Sequence, residues 1–147
     1  MSVLAKWFGK SLLSAFNKEI DFNSDAIYMS LHTETFVPNQ DTMDYQNDLT
    51  NEVSSGGGYT TGGALLAGCA AAYDADTNIF NLTCTSPVTW TSATFTARYA
   101  VIYDSTPGTA ATNPLIAYID FGENKGVVNG TLTITIAAGG LAKVTVS

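Results

Sequence analysis

Cys69-Ala70-Ala71-Ala72-Tyr73-Asp74-Ala75-Asp76-Thr77-Asn78-Ile79-Phe80-Asn81-Leu82-Thr83-Cys84 is the stretch that decides the fold. Two runs with period-two alternation flank Asp74 to Asn78, whose residues favour a turn, and together they read as a β-hairpin. With the turn centred on Asp76-Thr77, Tyr73 faces Phe80, Ala71 faces Leu82 and Cys69 faces Cys84. Every pair is apolar and all share one face, as a correct register requires. Opposed residues sit about 4.5–5.5 Å apart at Cα, within disulfide reach. A cytoplasmic origin favours free thiols, so Cys69 and Cys84 are expected as a cross-strand pair of reduced, buried thiols.

Outward from the hairpin, the chain continues as strands. The expected spans are Ala64–Tyr73, Ile79–Cys84, Thr94–Tyr103, Leu115–Phe121, Gly130–Ile136 and Leu141–Val146. Ser86-Pro87, Thr106-Pro107-Gly108, Asn113-Pro114, Asn129-Gly130 and Gly139-Gly140 supply turn signals between them. The abundant threonine suits strands, because β-branching fits the pleat and the hydroxyl serves a wet face. Tyr99, Val101 and Tyr103 share one face of their strand and Ala100 and Ile102 the other. Both faces being apolar predicts a strand covered on two sides, by a second sheet and by the helix or a neighbouring subunit. Upstream, Ile27, Met29 and Leu31 alternate with Tyr28, Ser30 and His32, a half-buried strand whose outward face holds His32.

The two remaining segments differ from these. Leu4, Phe8, Leu12, Phe16 and Ile20 recur every four residues, widened by Ala5, Leu13 and Ala15, and predict an amphipathic helix over residues 3–20. It lies across the domain or against a partner, with Trp7 and Lys10 as contact candidates. Residues 33–63 form a long polar arm with few strand or helix signals. Structureless connections this long are usually functional or disordered. Tyr45, Leu49, Val53 and Tyr59 suggest an ordered arm pinned in places, with a short turn of helix around Thr42–Asn47. The expected fold is therefore mainly β. It is an antiparallel, jelly-roll-like β-sandwich over residues 64–147, with one N-terminal helix and a long ordered loop, all in one domain of residues 1–147.

Composition bounds the function. The chain has 147 residues and a net charge of −7, from 6 basic and 13 acidic side chains. Only 13% of residues are charged and 46% are hydrophobic, so it is no acidic disordered tail. The charge argues against nucleic acid and anionic membrane as partners, since both are held by basic patches. No apolar run reaches the ~18 residues of a membrane helix, and the N-terminal pattern lacks the h-region and cleavage site of a leader peptide. With one histidine and two cysteines, little is left for catalysis, and no cofactor or metal is expected. Asp74-Ala75-Asp76-Thr77-Asn78 opens like a calcium loop but lacks its glycine and its bidentate glutamate, so a hairpin turn explains it better. Trp90, Tyr99, Tyr103, Tyr118 and Phe121 could line a sugar-binding face, against which core or interface packing is the favoured reading.

Trp7-Phe8-Gly9-Lys10-Ser11-Leu12-Leu13, Asn17-Lys18-Glu19-Ile20-Asp21-Phe22, Pro38-Asn39-Gln40-Asp41 and Gly58-Tyr59-Thr60-Thr61-Gly62-Gly63 follow one another in order. So do Thr94 to Tyr103 and Pro114 to Gly122. This succession resembles a family of small structural proteins of tailed-bacteriophage virions. The resemblance implies a capsid decoration (cement) protein, made in the host bacterial cytoplasm and placed on the capsid surface. Its implied partners are the major capsid protein and further copies of itself, as a homotrimer. A tail-associated or fibre-like module binding host glycan is the alternative, with Trp90 as its candidate residue. Pro38, Asp41, Tyr45 and Leu49 of the arm join Trp7 and Lys10 as interface candidates. Seven of the 13 acids, from Asp21 to Glu52, lie before most of the sheet, which places the charge in the segment expected to meet a partner.

Overall fold

The computed structural model describes residues 3–147 and is mainly β. Its elements are β1 (Leu4–Trp7), α1 (Ser11–Phe16), β2 (Ile27–His32), β3 (Ala64–Leu65), β4 (Ala70–Asp74), β5 (Ile79–Thr83), β6 (Val88–Asp104), β7 (Leu115–Ile134) and β8 (Ala142–Thr145). A turn of 3₁₀ helix covers Gln46–Asp48, within the arm where a helical turn was expected. The strands form two antiparallel sheets in a sandwich-like arrangement, ordered β1-β7-β6-β2-β3 and β4-β5-β8. These orders stop short of a jelly roll, because β6 and β7 make one long hairpin beside which the other strands are added.

The β4–β5 register agrees with the pairing read from the sequence: Tyr73 opposes Phe80 and Ala71 opposes Leu82. Asp74 builds the turn as an acceptor, its carboxylate taking bonds from the Asp76 amide and the Thr77 hydroxyl at 2.9 and 2.7 Å. Cys69 and Cys84 flank the two strands and are joined as a disulfide, not held as the reduced thiols expected. Redox compartment was a weak guide beside the register, which sets the two sulfurs opposite each other.

β6 and β7 are longer than the separate strands expected. Asn129-Gly130 was expected to end a strand; instead Asn129, at φ 48°, lies inside β7, and the β6–β7 register shifts at several places. Residues of turn chemistry are absorbed here as bulges, which bend a hairpin without ending it.

The sheet has two cores, one on each face. Ile27, Met29, Leu31, Ala100 and Ile102 pack with Leu82, Cys84 and Leu141 between the sheets. On the opposite face Val101, Tyr103, Leu115 and Tyr118 pack with Phe8 and Phe36, and Met43 and Leu49 close over them. Two-sided coverage of β6 is thus as expected, but the cover of the second face is the arm rather than the helix or a neighbouring subunit. His32 follows from this. It is fully buried rather than exposed, because the outward face of β2 is the floor of the second core.

The N-terminal segment departs most from expectation. Residues 3–20 are not one helix: Leu4–Trp7 pair with Ala117–Asp120 as an edge strand, and only Ser11–Phe16 are α-helical. Gly9 lies between them, and its amide donates to the Gln40 carbonyl at 2.7 Å, tying the break to the arm. The four-residue apolar row could not predict this, since strand pairing with β7 satisfies Leu4–Trp7 better than an isolated helix of marginal length.

Candidate functional site

The arm is locked to the body along its length. Val53 N donates to Leu31 O at 2.9 Å, Thr33 N to Asn51 O at 3.0 Å, and Gln46 N to Asn113 O at 2.9 Å. Glu52 forms the central clasp, with one carboxylate oxygen taking bonds from Tyr59 Oη at 2.7 Å and Gly62 N at 2.6 Å. Tyr59 Oη in turn accepts the Leu31 amide at 3.0 Å. Burial, followed by the bond to Glu52, pushes the Tyr59 hydroxyl well above its ordinary pKa. Inside the clasp, His32 Nδ1–H donates to the Thr50 carbonyl at 2.8 Å, so Nε2 accepts the Ser30 hydroxyl at 2.9 Å. Both bonds suit the neutral ring, and desolvation holds its pKa below the ordinary value.

These contacts occupy most of the interface candidates. The Trp7 indole donates to the Lys143 carbonyl at 3.0 Å, across the seam between β1 and β8. Lys10 reaches the Thr42 carbonyl and pairs with Asp44 at 3.4 Å. Tyr45 donates to Glu19 at 3.2 Å, and Leu49 packs on the second core. Pro38, half-buried, and Asp41, exposed, differ: they lie in the stretch 37–41, the arm crest, beside Val37, which is 76% exposed. Asn39 shapes the crest, its side-chain oxygen accepting the Asp41 and Thr42 amides at 3.0 and 3.2 Å. Trp90 is only 5% exposed and lies against Tyr59, so it offers no platform to a sugar.

The acids of the arm are similarly employed. Of the seven from Asp21 to Glu52, all but Asp41 accept a bond or ion pair within the chain. Asp21, Asp25 and Asp48 hold turns, Glu34 takes the Asn124 amide, Asp44 pairs with Lys10 and Glu52 makes the clasp. Their concentration was read as a partner-facing charge; Asp21, Asp25, Asp48 and Glu52 instead accept backbone amides, and Glu34 and Asp44 accept side-chain donors.

The surface that stands out was missed by that reading. In α1 the buried residues are Ser11 and Ser14, while Leu12, Leu13 and Phe16 are 41%, 60% and 86% exposed. The helix is amphipathic as expected, but it turns its apolar side to solvent. Opposite it, Tyr73, Phe80 and Val144 are neighbours across the three-stranded sheet and line the same cleft, and Tyr73 and Val146 are each more than half exposed. Helix and sheet enclose an almost wholly apolar cleft of about 510 Å³. It continues past Leu12, Ala15 and Phe80 into a hollow bordered by Trp7, Phe22 and Lys18. The available signal was the single pair Ser11 and Ser14 within the helix, which marks its inner side.

Among the described residues, no group of three or more His, Cys, Asp or Glu side chains is placed to hold a metal, and no helix is long and apolar enough to cross a membrane. Compared with protein-family models, curated proteins and solved structures, the chain matches none.

Proposed function

We propose that the chain is a non-enzymatic structural protein of a tailed-phage virion, a decoration protein that binds the outer surface of the major capsid protein shell. The observation that carries its being a subunit of an assembly is the inverted helix. A contiguous exposed apolar surface is a mark of a protein-contact site, and α1 with the facing residues of β4, β5 and β8 provides one. The order of sequence segments that resembles phage virion proteins supplies the kind of assembly.

A coat subunit needs a contact with the shell. The arm crest is suited to it, because Val37, Pro38 and Asp41 are held by the Asn39 bonds and by the buried Phe36 before any partner arrives. Little ordering then remains to oppose association. The glycan-binding alternative loses its candidate residue, since Trp90 is covered.

The test is co-sedimentation with empty shells of the major capsid protein from the same genome. Wild type is expected to pellet with the shells, and Val37→Asp with Asp41→Lys is expected to bind at least about tenfold more weakly while melting normally. Absence of wild-type binding to the shells would contradict the reading.

A further inference from the structure

We propose that the occupant of the α1 cleft is a second copy of this chain, with Phe16 of one copy seated in the cleft of the next. The inference rests on reading the α1 surface as a protein-contact site, and it names the partner. Phe16 is the most exposed large apolar side chain among the described residues, at 86%, and it stands at the rim of an apolar cleft of about 510 Å³. A projecting aromatic and a hollow that would receive it lie side by side on one patch. Such a patch is self-complementary: it closes as a two-fold pair when each copy fills the other, or as a ring when each fills the next.

Charge supports the same seating. The helix side of the patch ends in Lys18, which is exposed and borders the adjoining hollow together with Asp21, whose carboxylate is turned to the Asn23 amide. The sheet side ends in the β4–β5 turn, where Asp74 and Asp76 are exposed and Tyr73 donates to Asn78 at 2.8 Å. Placing the helix side of one copy on the sheet side of another sets a cation against two carboxylates. A lipid surface is a poorer occupant, because a chain of charge −7 is repelled by anionic headgroups.

Sedimentation equilibrium from roughly 1 to 100 µM decides the matter. Wild type is expected to form a dimer or a closed ring of few copies, and Phe16→Asp to remain a monomer across the range. Because Phe16 is so exposed, the variant is expected to melt within about 2 °C of wild type. Lys18→Glu and Asp76→Lys are each expected to weaken association several-fold, and the double variant to restore it, as charge exchange across one contact should. A wild type that stays monomeric overturns the proposal, as does a Phe16→Asp protein that associates as tightly as wild type or a double variant no tighter than either single. Where wild type is monomeric yet loses shell binding on Phe16→Asp, the cleft belongs to the capsid protein; the self-docking inference then falls while the decoration role stands.

Discussion

Asp104 ends β6 with no exposed surface, and although its Oδ1 accepts the Thr106 amide at 2.8 Å, its Oδ2 has no hydrogen-bond partner among the described residues. Burial, with the neighbouring Asp25 carboxyl adding to it, raises its pKa from 3.8 to about 6. The folded chain therefore keeps a proton that the unfolded chain releases. The stability this confers is fully present below pH 3.8 and is lost as pH rises through about 6. Asp104→Asn keeps the acceptor for Thr106 and adds a donor on the side of Asp25. Urea unfolding at pH 7.5 is expected to show the variant about 1–2 kcal/mol more stable than wild type, with the difference vanishing below pH 4. Equal stability at pH 7.5 would contradict the assignment. His32 acts with the opposite sign, since its lowered pKa makes the fold less stable as pH falls below 6.5; comparing both proteins at one pH cancels it.

Gly63 shows how a residue can fix a junction. Its φ is +83°, and a Cβ there would collide with the Met29 carbonyl. Gly63→Ala is expected to lower stability by at least about 2 kcal/mol in the same assay, since both the conformation and the space are wrong for alanine. A change under about 0.5 kcal/mol would mean that the arm does not enter β3 as described. At this scale the sequence was an uneven guide. Alternation placed His32 on the face away from the main core, which was correct, but it could not show that a second core lay there. That information sits in Phe36, Met43 and Leu49, far along a stretch without periodicity.

Among the elements, the β4–β5 register was legible because register is local: a turn of known chemistry and a two-residue period leave one alignment in which the apolar residues match. The strand bounds were not: the single strand expected over Ala64–Tyr73 is split into β3 and β4, which belong to different sheets. The disulfide closes a loop spanning 15 residues, which in the chain-entropy account contributes about 3 kcal/mol. Reduction, or Cys69→Ala with Cys84→Ala, is expected to lower stability by about 2–3 kcal/mol and leave the circular dichroism spectrum unchanged. No loss on reduction would show the pair to be unlinked in solution. The arm was legible as ordered but not as structural. With Met43, Leu49 and Val53 packed on the two cores, deletion of Pro38–Ser54 is expected to unfold the protein. A cooperative melt in the deleted protein would contradict that role. Of the helix expected over residues 3–20 only Ser11–Phe16 form, and their orientation was not legible, because a 3.6-residue period identifies an apolar side without saying whether this chain or another covers it.

The whole molecule joins two surfaces to one sandwich-like body. The acidic, weakly charged composition has two consequences: its carboxylates mostly cap turns and clasp the arm, and its sparse charge leaves the α1 surface apolar. In the proposed role the crest at Val37, Pro38 and Asp41 would meet the shell and the Phe16 cleft would meet neighbouring copies, so every copy on a capsid would present the same two contacts. The most direct test is a cryo-EM map of shells saturated with the protein. The account predicts knobs on the outer surface in which residues 37–41 face the capsid protein and the α1 helices lie between adjoining copies. Shells without added density, or with copies isolated from one another and the arm crest turned to solvent, would contradict it.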